Sequence, residues 1–234
     1  MIPSQFGIDG CKAGWLAIWI DKNNFLFDVC PNLFDLSAKY PTAKRYLIDI
    51  PIGLGTPSHP RSIETVMRQE LKGRASTVFN SPSRAAAYCE SYQTAKAMNL
   101  SDTGKSLSQQ SFAISPKIRE ANDFTFSETS IEVIESHPEI AFKHLNAGKV
   151  LMSKKKTTNG LLDRLQILTR VNSNVERIYS KIESKTPRKS VARDDIVDAL
   201  CLACTLEVAG ESLQFLTDEN KFDSQNTPIR IGIV

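Results

Sequence analysis

The chain lacks any apolar run near the roughly 20 residues that cross a bilayer, so a membrane-spanning protein is not expected. It also lacks a basic-then-apolar leader ahead of its first strand pattern, which makes a cytoplasmic location the expectation. Cysteines that pair are missing too: the five present (Cys11, Cys30, Cys89, Cys201, Cys204) are odd in number and scattered, which argues against a disulfide scaffold. Cys201 and Cys204 do form a C-x-x-C. They sit in an Ala- and Leu-rich helical stretch without a second pair or a nearby histidine, and read as reduced core residues rather than metal ligands. Nor does one sign of charge dominate. The net charge of +3 is too slight to imply a nucleic-acid partner, and that question passes to local clusters. What is there, 234 residues with 41% hydrophobic and 24% charged, suits one globular domain with an insertion.

The informative stretch is residues 6–20. Gly7-Ile8-Asp9-Gly10 places an aspartate between small residues on an apolar strand, and residues 15–20 form a second strand directly after it. Leu16, Ile18 and Ile20 alternate with Trp15, Ala17 and Trp19, so both faces are apolar and a central strand is implied. A carboxylate there costs several kcal/mol unless it meets a cation or donors, so Asp9 is either an Asp-Gly turn residue or part of a site.

Residues 25–29 read as a third strand, 31–39 as a helix with Leu33, Phe34 and Leu36 inward, and 46–50 as a buried strand ending at Asp49. This β-β-β-α-β unit sets the fourth strand parallel to the first and brings Asp49 beside Asp9. From about 57 to 126 the pattern is helical and polar, an insertion between the fourth and fifth strands. Arg61, Glu64 and Arg68 share a helical face there, which by itself reads as a solvated charge-paired surface. Ser81-Pro82-Ser83 opens a helix with proline in its first turn, and Pro116 should end or kink a helix over 108–122 that carries Gln110, Lys117 and Glu120.

A fifth strand over 132–135 ends on Glu135, and His137 before Pro138 is a ligand, a general base or the cap of the next helix. Lys154-Lys155-Lys156 with Gly160 and Arg164 forms one basic cluster, and Arg188, Lys189 and Arg193 form another. Two such clusters flanking acids suggest phosphate contacts. The last long helix starts at Asp194-Asp195. First-turn acids complement a helix dipole, but Asp198 lies deeper in an apolar helix on the face of Asp195, which asks for a divalent cation. The apolar stretch 229–234 allows a late short strand.

Strand Asp9, strand-end Asp49, strand-end Glu135 and helical Asp195-x-x-Asp198-Ala-Leu, in that order, resemble the ribonuclease H-like superfamily, and the last motif looks like that of RuvC-type resolvases. The chain is similar to a domain-of-unknown-function family of predicted nucleases with this fold. The similarity rests on residues 7–15 and 49–54, Arg61 with Arg68, Val78-Phe79 with Pro82 and Arg84, Ser108 with Gln110, and Lys117-Ile118 with Glu120. It continues through Glu135-x-His137-Pro138-Glu139, Lys155-Lys156 with Gly160 and Arg164, and Asp194-Asp195 with Asp198-Ala199. Glu64 stands where an aspartate is expected, and Asn122-Asp123 shifts an acid expected after Glu120.

The resemblance implies an α/β fold with a mixed five-stranded sheet (β-β-β-α-β-α-β-α), helices on both faces and the helical insertion, in a single domain over 1–234. It implies a nuclease whose catalytic and metal-binding residues are Asp9, Asp49, Glu135, Asp195 and Asp198, holding two Mg²⁺ or Mn²⁺ ions. Lys12, Arg61, Arg68, Gln110, Lys117, His137, Lys155, Lys156 and Arg164 would bind the nucleic acid, DNA or RNA, and a homodimer is compatible because resolvase-like enzymes often pair. Two rivals stand beside it. Gly7-Ile8-Asp9-Gly10 with Lys12 also looks like the first phosphate loop of actin and sugar-kinase phosphotransferases, although a second glycine-rich loop is missing; the other rival is a non-catalytic nucleic-acid- or protein-binding module on the same fold.

Overall fold

The computed structural model describes residues 3–128 and 130–234. Its first three strands, β1 (Gln5–Cys11), β2 (Gly14–Asp21) and β3 (Asn24–Cys30), form an antiparallel meander. The β2–β3 turn is two residues long, with Lys22 and Asn23 both at positive φ, the turn hand that suits strand twist. Asn32 caps α1 (Leu33–Lys39) by accepting from the Asp35 N–H at 2.7 Å. Leu33 and Leu36, three apart, are buried. Phe34, expected inward with them, lies one step around the helix and is 43% exposed, with only its edge on Phe124.

β4 (Arg45–Ile48) then pairs parallel with β1. The chain next runs through α2 (Ile63–Glu70), a 3-10 turn (Ala75–Thr77), α3 (Arg84–Ala87), α4 (Tyr92–Thr103), α5 (Gln109–Ala113) and α6 (Ser115–Ser127). Ser83, not the proline before it, caps α3, accepting from Ala86 N–H. Pro116 sits in the first turn of α6, where its missing N–H costs nothing, so the stretch over 108–122 is two helices rather than one kinked helix.

β5 (Glu132–Glu135) pairs parallel with β4 and is followed by α7 (Pro138–Leu145), α8 (Thr158–Val171), α9 (Val175–Lys185) and α10 (Arg193–Ala209). The last strands are β6 (Gln214–Leu216) and β7 (Ile231–Ile233). Among the described residues the strands form one mixed sheet of seven, ordered β3-β2-β1-β4-β5-β7-β6. The expected five strands are its first five. β7 extends them parallel to β5, and β6 closes the edge antiparallel to β7. β7 falls within 229–234, where the sequence allows a late short strand, whereas the three residues of β6 are too few to carry a period in sequence.

The two faces of the sheet have separate cores. Phe6, Ile8, Trp15, Tyr46 and Ile48 pack with α1 and α6 on one side, and Leu16, Ile18, Leu47 and Ile134 pack with α7 to α10 on the other. α10 lies directly on β1: a Cβ on Gly7 would fall 2.2 Å from Ala203 N, so only glycine admits the helix there. No helix among the described residues is long and apolar enough to cross a membrane.

Candidate active site

Strand parity decides which acids meet. Gly7, Asp9 and Cys11 alternate with Phe6 and Ile8 and so turn toward α10. On β4, Leu47 has that parity and so does Asp49, which stands just past the strand end and is fixed by its N–H donating to Ile8 O at 3.0 Å. Asp198, one and a half turns into α10, faces the same point and is 3% exposed. These side chains line a cleft of about 380 Å³ at one end of the sheet, together with Glu139, His137, Lys117, Gln110 and Lys155.

Electrostatics couple the acids of the cluster by mutual repulsion. Burial raises the Asp9 carboxyl well above the ordinary range, and Asp49, Asp198 and Asp195 raise it further. Asp49 is pushed up to about 8, first by burial and then by Asp198. Burial likewise raises Asp198, and Lys155 opposes it, with Nζ 2.8 Å from Asp198 Oδ2 and 4.0 Å from Asp194 Oδ2. Burial pulls the Lys155 ammonium down, but Asp198 and Asp49 more than reverse that. Asp195 is the outlying member: its carboxylate accepts the Ala192 N–H at 2.8 Å and so closes the first turn of α10, and burial lifts it to about 6.

Glu135 lines the same cleft and helps raise Asp49, but it approaches from the other face of the sheet. Ile134 has the parity of the α10 face, so Glu135 turns to the opposite side, where both its oxygens accept from Arg61 Nη2 at 2.7 and 2.8 Å. It also accepts the Ile52 N–H at 2.8 Å. Arg61 precedes α2 rather than lying on it, and its Nε donates to Glu64 at 2.7 Å while Nη1 reaches Ile52 O and Gly53 O. The expected solvated charge face is therefore a buried network that fixes the loop after Asp49.

Several residues expected to bind substrate are committed elsewhere. Arg68 donates to Val78 O and Asn80 Oδ1. Arg164, 1% exposed, donates to Glu139 at 2.5 Å and to the Gly160 and Ser153 carbonyls, holding the loop that carries Lys155. Lys12 is exposed in the β1–β2 turn, away from the cleft lining. Lys117 does reach the site: it crosses Gly10, lies 4.3 Å above the Trp15 ring and donates to Gly14 O at 2.5 Å. His137 is the N-cap position of α7 without a side-chain cap bond; burial lowers its imidazole to about 4, leaving it neutral with Nδ1 unpartnered. Glu139, which enters the family resemblance with Glu135-x-His137-Pro138 but is given no site role there, also lines the cleft.

An all-carboxylate donor set matches a hard divalent ion such as Mg²⁺ or Mn²⁺. Among the described residues no three His, Cys, Asp or Glu side chains are already spaced to hold one, and Lys155 supplies the positive charge beside Asp198. Asp49 and Asp195 bind protons more tightly folded than unfolded, so without divalent ions stability falls as pH rises from about 4 toward 8. A melting temperature several degrees higher at about pH 5.5 than at about pH 8 is expected in EDTA, with Mn²⁺ restoring the loss at the higher pH. A flat profile in EDTA would mean the carboxylates are not mutually repelled.

No curated protein and no solved structure matches the chain. A family model does match it over residues 7–221, a span that contains every acid of the cleft, and the chain therefore belongs to the family described as Protein of unknown function (DUF429).

Proposed function

We propose that this chain is a metal-dependent nuclease that hydrolyses phosphodiester bonds of DNA or RNA on a ribonuclease H-like fold. The observation that carries the reading is the convergence of Asp9 from β1, Asp49 from the end of β4 and Asp198 from α10 on one cleft, with Lys155 paired to Asp198 and Lys117 beside them. Supporting the fold are the 3-2-1-4-5 order of the first five strands and the packing of α10 across β1.

Asp9, Asp49 and Asp198 would hold the ions, with Asp195 at the rim. When bound, divalent ions supply a Lewis acid for the phosphoryl oxygens and a water of lowered pKa. Lys117, anchored on Gly14 O and the Trp15 ring, keeps an ammonium at the mouth of the cleft for the substrate phosphate. Neutral His137 can accept or donate one hydrogen bond there without adding charge. Lys155 must leave Asp198 for an ion to enter, and once released it is a second phosphate partner. A cytoplasmic location belongs to the same reading.

The Lys155–Asp198 pair also favours a second reading, a metal-free binding module whose acids are neutralised from within. A panel of labelled single-stranded, duplex and branched DNA and RNA separates the two. The nuclease reading expects cleavage with Mn²⁺ and none in EDTA. Tight binding without cleavage, indifferent to Mn²⁺, would leave the binding module.

A further inference from the structure

Behind the acidic cleft lies a second hollow, of about 420 Å³, that the hydrolytic reading leaves unassigned. The two share a wall, since Lys155 and Asp198 line both. Its other cations are Lys156, Arg164, Arg188 and Arg193, and Arg164 is taken by Glu139. Lys155 is spent on Asp198, and Arg193 is paired with Glu183. Lys156 and Arg188 have no ion-pair partner among the described residues, yet both line this one hollow.

Neither residue hangs on a loose segment. Lys156 sits in a turn closed by Thr157 N–H to Lys154 O at 3.0 Å, and Thr157 Oγ1 accepts from Gly160 N–H at 3.1 Å to start α8. A Cβ on Gly160 would fall 2.0 Å from Lys154 O, so the loop folds onto the helix start only with glycine there. Arg188 lies in the turn closed by Ser190 N–H to Pro187 O at 2.7 Å, and Ala13 N–H to Ser190 O at 3.1 Å ties that turn to the β1–β2 hairpin carrying Asp9. Lys156 and Arg188 are exposed at the rim of a hollow whose acids are Asp194 and Asp198, and a bound anion of phosphate size and charge would accept hydrogen bonds from both cations.

We propose that this hollow is a phosphoryl-binding subsite, with Lys156 and Arg188 as its ligands and Lys155 as the link to the acidic cleft. On the nuclease reading, on which this placement rests, the group it takes is a backbone phosphate next to the one being hydrolysed. The chemistry is shared with the phosphate of a free nucleotide.

The test compares the native chain with the double variant Lys156→Gln/Arg188→Gln in EDTA, using a labelled single-stranded oligonucleotide and, separately, a nucleoside monophosphate. The expected result is oligonucleotide affinity about tenfold or more weaker in the variant, with a salt slope shallower by about one per removed contact, while Mn²⁺ binding measured by calorimetry is unchanged. Loss of nucleoside monophosphate binding alone, with no oligonucleotide binding by either protein, supports the subsite with a free nucleotide as its source. Equal affinity of both proteins for both probes overturns it. Weakened oligonucleotide binding in a chain that cleaves nothing keeps the subsite and removes the nuclease reading, so the two fail separately.

Discussion

Asp9→Asn is expected to abolish Mn²⁺-dependent cleavage and at the same time to raise the melting temperature in EDTA at about pH 8. Both follow from one position. Asp9 is central to the cluster, with Asp49, Asp198 and Asp195 all raising its carboxyl and burial raising it most. Asparagine keeps the shape and one acceptor oxygen but removes the charge that a divalent ion needs. Residues behind a metal ligand cost roughly 10- to 100-fold when changed, so a direct ligand at this point should cost about a thousandfold or more. The same substitution removes a charge that its neighbours repel, so the metal-free protein loses a destabilising term rather than a contact. The checks are a cleavage time course with Mn²⁺, calorimetry of Mn²⁺ binding and a melting curve in EDTA. Unchanged cleavage would falsify the nuclease assignment, and a lower melting temperature would show that Asp9 acts in the fold through hydrogen bonds instead of charge.

Arg61→Met should produce the largest stability loss of any single substitution considered for this chain, about 3–5 kcal/mol out of a total of about 5–15. Among the described residues Arg61 is the one cation reaching both Glu64 and Glu135, and its side chain is 4% exposed. Burial pushes Glu135 up to about 7 even against the Arg61 field. Burial acts on Glu64 too, but Arg61 and the Ser81 hydroxyl outweigh it and hold that carboxyl below its ordinary value. Removing the guanidinium strands two buried carboxylates and two backbone carbonyls, Ile52 and Gly53, in the loop that follows Asp49. Urea unfolding measures the loss. The triple variant Arg61→Met/Glu64→Gln/Glu135→Gln should regain much of it, because neutral amides do not require the cation. A loss under about 1 kcal/mol from Arg61→Met would place the network in solvent rather than in the core.

These two residues also mark where sequence reading succeeds and where it stops. Asp9 was legible because a carboxylate on a strand apolar on both faces has few explanations, and because β-β-β-α-β order puts Asp49 beside it in any parallel pairing of the first and fourth strands. Asp198 was legible because first-turn capping cannot account for an acid that deep in an apolar helix. The ion pair between Arg61 and Glu135 was not legible, for complementary reasons. Charges spaced along a presumed helix look solvated, and an acid ending a strand looks like its counterpart on the strand beside it. One residue of register separates those positions: Glu135 pairs with Ile48, not with Asp49, and so faces the other side of the sheet.

Local residue order by itself determined neither α9 nor the division of 108–122 into two helices, but it did determine the first five strands, the helices over 31–39 and from 194 onward, the apolar faces of the central strands, and which acids could not be explained as caps or turns. Those follow from periodicities that a dozen residues are enough to display. Only the tertiary structure decided that β6 and β7 extend the sheet, that Arg61 and Arg164 serve the fold, and that Lys155 rather than another acid closes the cluster around Asp198. Each of those depends on partners many tens of residues away. The charge and spacing of a side chain say what it can pair with, and only packing says which partner is within reach.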